Sequence, residues 1–574
     1  MEMDGKKLKI IFLISGIIIY SSLTLIIWPD RFYYDDEWIN LRIITKYTFS
    51  GIISLTSHFD FHPPLQYILN KIFYQLFGPE EWLMSIPSII STGLASGLTG
   101  IILYNLTGSK SFSFLTILVV SIHPSIQMWG WSIRWYPAWS FFSIASFYFA
   151  LRLWREKKFS FFNSAVLAFF LIIALYTNYQ TLAVIFCLII SAFFTDLNKK
   201  NFGGNFYHTN TWRTIVICLI VILFFLPWIG AFNSHLSSYF FQKNLMKNFI
   251  NPEPLIQAAV LFFNALFGSS IYPWDILFIL LFATALFFAF LSAVLFLLCK
   301  KYKTGATAKL NQEFFSVAIF SITMSLVFCL LDILSGSLPN RGDFIISFTA
   351  VIVSVYFLFF LVKAKRSSSK KELYAKRFLA AAIISLILIN CYGTFNLAKK
   401  EHFHKMGLSD PIAEIVNLLE KKAKENSSHK LIFTINPVLT YYLLWKGELI
   451  NTEVISPYID DGPVFINNCR YKNSFVKQFS GEEQSTLFFV ESYMGSLISL
   501  KEEYKLAANY IKDNGSEAEA PVYLGEDKDL YFKKKIFPRA QLQKFRFKIS
   551  FLKSASGWDI DKINKMIKDF SPSY

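Results

Sequence analysis

Eleven apolar runs, each near the length a helix needs to cross a bilayer, divide residues 10 to 395 and leave the chain few folds to choose from. A helix rises about 1.5 Å per residue, so roughly 20 apolar residues span a hydrocarbon core of about 30 Å. The runs lie near 10 to 28, 82 to 105, 112 to 128, 137 to 154, 161 to 177, 180 to 195, 212 to 230, 274 to 299, 314 to 333, 342 to 362 and 377 to 395. With 54% hydrophobic residues, 62 Phe and only 17% charged residues, the chain has too little polar surface to dissolve such runs in one soluble core. They predict a polytopic all-α membrane domain of about 11 transmembrane helices.

The net charge of +16 does not point to a nucleic acid partner, because the Lys and Arg residues fall in short clusters between apolar runs. Topology explains them. With a cytoplasmic N-terminus, the inside loops contain Lys110, then Arg152, Arg155, Lys157 and Lys158, then Lys199, Lys200 and Arg213. Lys300, Lys301, Lys303, Lys309 and the stretch from Lys363 to Arg377 complete the set, so every strong basic cluster of the membrane region lies inside. Lys6, Lys7 and Lys9 precede the first run as in a signal peptide, yet no small-residue cleavage site closes it. It is expected to remain as the first span of a multi-pass protein of the cytoplasmic membrane. The six cysteines supply neither a disulfide framework nor a zinc spacing, since five lie in or beside apolar runs and Cys469 stands alone.

That orientation puts residues 29 to 81, 129 to 136, 231 to 273, 334 to 341 and everything after Asn396 outside. Gln127, Arg134, Asn178, Gln180, Asp275, Asp332, Arg341 and Asp343 then all stand at outer ends of spans. A transport path would favour ionisable groups near the midplane, whereas a water-accessible outer site produces this asymmetry.

The first outer loop, residues 29 to 81, is too long for a connector and is expected to fold. It opens with the acidic knot Asp35-Asp36-Glu37-Trp38 and continues to His62-Pro63-Pro64-Leu65. After Pro64, Leu65, Ile68, Leu69, Ile72, Phe73, Leu76 and Phe77 recur at helical spacing, with Gln66, Asn70, Lys71 and Gln75 opposite. A weaker stripe, Trp38, Leu41 and Ile44, follows the knot. Both helices are expected to lie in the interface plane and to hold the carboxylates near lipid headgroups. A solvated helix end is the plain alternative for the acids, and a helix N-cap the plain alternative for His62.

From residue 396 to 574 the composition turns soluble and the pattern alternates between helix and strand. Helices are expected at 411 to 424, 438 to 445 and 500 to 512, and strands at 430 to 435, 485 to 490 and 521 to 524, which makes a small α/β extracytoplasmic domain. It contains no glycine-rich phosphate loop.

Taken in order, the first span, the acidic pair, His-Pro-Pro-Leu before an amphipathic helix ending in Phe77-Gly78, and Arg134-Trp135-Tyr136 opening a later span resemble one known family. It is the GT-C superfamily of polyprenyl-phosphate-sugar-dependent glycosyltransferases, in the branch of protein O-mannosyltransferases and of bacterial aminoarabinose and lipopolysaccharide-core sugar transferases. The resemblance covers roughly residues 10 to 160. It implies a GT-C-like catalytic domain over residues 1 to 395, a polyprenyl-phosphate sugar as donor and a lipid, glycan or protein as acceptor. The reaction it implies is that of a hexosyl- or pentosyltransferase.

Carried onto this sequence, the resemblance makes Asp36 the base and Glu37 its neighbour, with Asp35 an alternative for the same role. His62 matches the position before Pro-Pro, and Arg134 matches an Arg-x-Tyr pattern in which the usual acid two residues earlier is replaced by Ser132. Arg341 resembles an arginine that opens a late span, although Gly342 replaces the usual aromatic after it. The chemistry agrees with this cast. A lipid phosphate is a good leaving group, and one positioned carboxylate taking the acceptor proton contributes about 10²- to 10⁴-fold. Direct displacement inverts the anomeric centre, and the departing phosphate needs donors such as His62, Arg134 and Arg341. Trp135 and Tyr136 belong to an aromatic segment of the kind that lines membrane interfaces, one or two of which could stack on a sugar ring. No cofactor is required, and although three acids leave room for a divalent metal, no ligand spacing compels one. A transporter or flippase of lipid-linked sugars, and a polysaccharide polymerase or ligase, are the competing readings.

Overall fold

The first helix, Gly5–Ile27, packs on the helix Glu81–Thr107 through bare backbone. A side-chain carbon added to Gly93 would lie 2.6 Å from the Cα of Ile17, and one added to Gly97 would lie 2.7 Å from the Cα of Leu13. Small residues spaced four apart let two helices approach this closely, which replaces the hydrophobic drive that lipid removes.

In the computed structural model of the chain the described residues are 5–28, 33–58, 62–156, 160–198, 209–246, 254–268, 270–271, 275–298, 312–335, 342–363, 370–399, 412–424, 430–434, 436–446, 452–456, 464, 486–492, 509–526 and 545–553. The helices in chain order are α1 Gly5–Ile27, α2 Asp35–Lys46, α3 Phe49–His58, α4 Leu65–Phe77, α5 Glu81–Thr107, α6 Lys110–Ser121, α7 Pro124–Trp129, α8 Tyr136–Arg155, α9 Phe161–Thr177 and α10 Thr181–Asn198. Then come α11 Asn210–Phe225, α12 Ile229–Met246, α13 Pro254–Phe267, α14 Ile276–Leu298, α15 Gln312–Ser335, α16 Gly342–Lys363, α17 Lys370–Ala398, α18 Ile412–Lys424 and α19 Pro437–Trp445. Two compact units result. One comprises Met1–Arg31, Phe49–Asn244 and Glu253–His404, and the other Phe32–Thr48, Leu245–Pro252 and Lys405–Tyr574.

All eleven apolar runs form helix in the first unit. Among the described residues six helices are long and apolar enough to cross a membrane: Lys6–Ile27, Glu81–Thr107, Asn210–Ser237, Glu313–Leu331, Gly342–Phe359 and Lys376–Ala398. Lys110–Ser121, Phe161–Thr177, Thr181–Leu197 and Ile276–Ser292 are shorter apolar helices. The run at 112 to 128 is split because α6 ends at Ser121 and Pro124, which lacks an N–H, starts α7. The run at 212 to 230 passes through a 3-10 turn at Leu226–Trp228 into α12. The segment 231 to 273, expected as loop, contains α13, apolar but only 14 residues long.

Polar side chains at and just past the C-terminal end of α1 fix α7. Tyr20 Oη donates to the Ile126 carbonyl at 3.2 Å, Thr24 Oγ1 to Gln127 Oε1 at 3.2 Å, and Trp28 Nε1 to the Gln127 carbonyl at 3.2 Å. On the far side Ser125 Oγ donates to the Asn264 carbonyl at 2.7 Å. The short helix is thus gripped from α1 and α13, which sets the direction in which the chain leaves it.

The second unit holds a five-stranded sheet of order β2-β1-β3-β5-β4, with β1 Lys430–Thr434, β2 Thr452–Ile455, β3 Thr486–Ser492, β4 Ser516–Glu526 and β5 Phe545–Lys553. β1 runs parallel to β2 and β3, while β5 is antiparallel to β3 and β4. The expected helices at 411 to 424 and 438 to 445 and the three expected strands are present. The helix expected at 500 to 512 lies mostly outside the described residues.

Gly97→Val is expected to destabilise the α1–α5 contact by about 1–3 kcal/mol through overpacking, read as a lower melting temperature of the detergent-solubilised protein. Gly230→Ala, where an added carbon meets nothing within 4 Å, is the matched control and should leave the melt unchanged.

Candidate active site

The first unit carries a buried non-helical turn whose one open residue is a cation. From His123 to Ser140 every residue is buried except Arg134, which is half-buried. Backbone that leaves a helix in apolar surroundings must find partners for its freed N–H and C=O groups. Here side chains of two helices supply them. Thr92 Oγ1 donates to the Gly130 carbonyl at 2.8 Å and Ser88 Oγ to the Ser132 carbonyl at 2.5 Å, both from one face of α5. Asn70 Nδ2 of α4 donates to the Ile133 carbonyl at 2.5 Å, and Gln66 Nε2 donates to the same carbonyl at 3.4 Å and to Asn70 Oδ1 at 2.9 Å.

Ser132, which stands where the related pattern has an acid, accepts the Arg134 N–H on Oγ at 3.2 Å. It holds the backbone of the arginine and forms no ion pair there. The guanidinium itself reaches back to α4's approach, with Arg134 Nη2 3.3 Å from His62 Nε2. A guanidinium has only donors, so this Nε2 is unprotonated and the imidazole proton sits on Nδ1. The His62 ring lies 5.7 Å from that of Trp135. An oxyanion at this pair would be met by guanidinium N–H groups and by the imidazole Nδ1–H, the one ring proton left when Nε2 accepts from Arg134.

α4 is oriented in a way its sequence pattern alone does not specify. Gln66, Tyr67, Asn70 and Lys71 are buried, whereas Ile72, Leu76 and Phe77 are exposed. An interface helix turns its apolar stripe to lipid, so the polar stripe becomes the inner face. Lys71 lies over the Phe49 ring with Nζ 5.8 Å from its centroid, and burial pulls its ammonium below the usual lysine range. Trp135 and Tyr136 are packed interior residues, 6% and 4% exposed, with ring centroids 4.3 Å apart. Trp129 and Trp139 close around them at 5.4 Å from Tyr136 and 5.6 Å from Trp135.

The acidic knot belongs to the second unit, where it opens α2. Glu37 is fully buried and its Oε2 accepts the Tyr34 N–H at 3.3 Å, the returning arm of a capping box. Trp38 next to it is 1% exposed and packs against Tyr441, Tyr442 and Trp445 of α19 at ring distances of 4.9, 5.4 and 5.9 Å. Tyr33 stacks on Trp445 at 6.2 Å and its N–H donates to Tyr442 Oη. Asp36, in the first turn of α2, is half-buried and keeps access to solvent. The side chain of Asp35 and the whole of Arg341 lie outside the described residues.

Sequence reasoning missed the groups that hold these residues: Ser88 and Thr92, the inward amides of Gln66 and Asn70, and the aromatic face of α19. It also expected mostly lysines at the ends of the spans read as inner, yet three acids stand there, Asp196 buried and Glu156 and Glu313 half-buried. Asp196 Oδ2 accepts from the Thr211 N–H and hydroxyl at 2.8 and 2.7 Å, Glu156 Oε1 accepts from Asn163 at 2.6 Å, and Arg155 pairs with Glu313.

No protein-family model matches the chain, and no curated protein matches its sequence. Among solved structures it is similar to ArnT from Cupriavidus metallidurans bound to undecaprenyl phosphate, with 11% identity and a TM-score of 0.45 over 94% of this chain and 97% of that one. It is also similar to the Archaeoglobus fulgidus oligosaccharyltransferase in the apo form, with 11% identity and a TM-score of 0.43 over 84% of this chain and 69% of that one. A third is archaeal oligosaccharyltransferase AglB from Archaeoglobus fulgidus in complex with an inhibitory peptide and a dolichol-phosphate, with 11% identity and a TM-score of 0.40 over 84% and 69%. At these identities and scores the likeness assigns no residue a role, and the chemistry rests on this chain's own side chains.

Glu37→Ala is expected to lower the melting temperature by removing a cap contact worth about 1 kcal/mol, and Glu37→Gln, which can still accept the Tyr34 N–H, to retain most of it. Equal melts for Ala and Gln would show that the capping arm contributes nothing.

Proposed function

We propose that the chain is an integral membrane glycosyltransferase that moves a sugar from a polyprenyl-phosphate carrier to a lipid, glycan or protein acceptor at the outer face of the cytoplasmic membrane. The observation that supports this most is the turn before α8, in which a buried segment held by hydrogen bonds to the Gly130, Ser132 and Ile133 carbonyls leaves Arg134 alone half-open, 3.3 Å from His62. Such a pair is preorganised for a phosphate whose charge grows as the sugar leaves, and preorganised donors stabilise that charge without moving at the moment of reaction. The ordered resemblance of the acidic knot, His62-Pro63-Pro64 and Arg134-Trp135-Tyr136 to the GT-C glycosyltransferases supplies the reaction class.

Asp36 is the base in this reading. It takes the proton of the acceptor hydroxyl or amine while that atom bonds to the anomeric carbon, and the bond from that carbon to the phosphate oxygen breaks with inversion. The electron pair leaves on the polyprenyl phosphate, where His62 and Arg134 receive it, and Arg341 is assigned to the same task. Glu37 supports Asp36 through the fold of α2 and takes no proton. The N-terminus is inside and the second unit outside. The reaction so written requires no cofactor.

Transfer from a radiolabelled polyprenyl-phosphate sugar to membrane acceptors, measured with purified protein in detergent, tests the reading. Asp36→Asn should lower turnover by about 10²- to 10⁴-fold with an unchanged melt. Full activity of that variant would move the base to Asp35 or discard the mechanism, and no transfer with any donor by the wild type would discard the function.

A further inference from the structure

α4 does more than carry His62 on its approach. We infer that Asn70, with Gln66 behind it, is a positioning residue for Arg134, so that α4 sets both halves of the phosphate-binding pair; this rests on the function proposed above. A carbonyl is only an acceptor, so the Ile133 oxygen obliges Asn70 to present its Nδ2, which it does at 2.5 Å. The Asn70 Oδ1 then faces Gln66, which must present its own amide nitrogen, and that bond is 2.9 Å long. The two side chains lie one helical turn apart on the inner face of α4 and are 5% and 1% exposed for Gln66 and Asn70. Burying two primary amides on a short interface helix is costly for each group left unbonded, so the sequence accepts a penalty that their bonds must offset.

What those bonds hold is the peptide immediately before Arg134. Ile133 O is fixed from α4 and the Arg134 N–H from Ser132 Oγ, so both ends of the Ile133–Arg134 peptide group are tied. With the peptide plane fixed, the Arg134 Cα from which the side chain departs is placed, and its guanidinium reaches His62 Nε2. His62 precedes α4 by two prolines, Pro63 and Pro64, which restrict the backbone between them. One short helix therefore references both nitrogen groups to a single frame. A purely structural amide pair would stabilise the turn without favouring any ligand, and this is where the two roles separate.

The test uses the full chain in detergent, with farnesyl phosphate and farnesol as probes and tryptophan fluorescence as the binding signal. Wild type is expected to prefer the phosphate. Asn70→Ala should weaken farnesyl phosphate by about tenfold, the size expected for one lost buried partner, and leave farnesol unchanged. In an Arg134→Ala background the same substitution should have no further effect on either probe. Gln66→Met, which leaves Asn70 in place, should give a smaller loss in the same direction and serves if Asn70→Ala does not fold. Equal weakening of both probes, or an undiminished Asn70 effect without Arg134, overturns the positioning role while leaving the proposed function intact. A wild type that binds farnesol as tightly as farnesyl phosphate overturns both.

Discussion

Everything in the first unit that bears on chemistry depends on how a few carbonyls are satisfied. Between α7 and α8 the chain gives up its helical hydrogen bonds while still surrounded by protein, and each group so freed would cost several kcal/mol if left bare in an apolar setting. Thr92, Ser88 and Asn70 take the carbonyls of Gly130, Ser132 and Ile133 in turn. Because two helices share the task, the turn cannot shift without losing bonds to both. The rigidity of Arg134 is thus a product of backbone bookkeeping, and the glycine contact between α1 and α5 lies upstream of it, since it places the face that carries Ser88 and Thr92.

The acidic knot shows a division of labour by burial. Three adjacent acids in the sequence read as one feature, yet Glu37 is buried as a helix cap and Trp38 is locked among the aromatics of α19, which leaves Asp36 half-open at the helix start. The tie between α2 and α19 also gives the soluble unit a concrete part in the proposed reaction, because it holds the turn that carries the proposed base. Thr45 Oγ1 accepts the Val464 N–H at 3.2 Å and anchors the other end of α2 to the same unit.

Much of the fold was legible in the sequence because membrane spans announce themselves by length and composition. All eleven runs are helical, and α18, α19, β1 and β3 stand close to their expected bounds. The misses have physical causes. Pro124 splits a run that hydropathy alone sees as continuous. β5 carries Phe545, Phe547, Ile549 and Phe551 in strict alternation, a strand signal masked by the lysine-rich stretch beside it. The polar face of α4 was legible as a stripe, but periodicity does not say which face meets protein when lipid is the other partner. Ser88 and Thr92 look like ordinary small residues of a span. Only the turn they serve gives them meaning, and that turn is a long-range feature in sequence.

The turn from Trp129 to Trp135 is expected to be built and rigid before any ligand arrives. Amide hydrogen exchange of the ligand-free protein in detergent, followed by mass spectrometry of peptides across this segment, measures it directly. Slow exchange, comparable to that of the neighbouring helices α5 and α8, is expected of a turn so held. Exchange as fast as that of an exposed loop would contradict it.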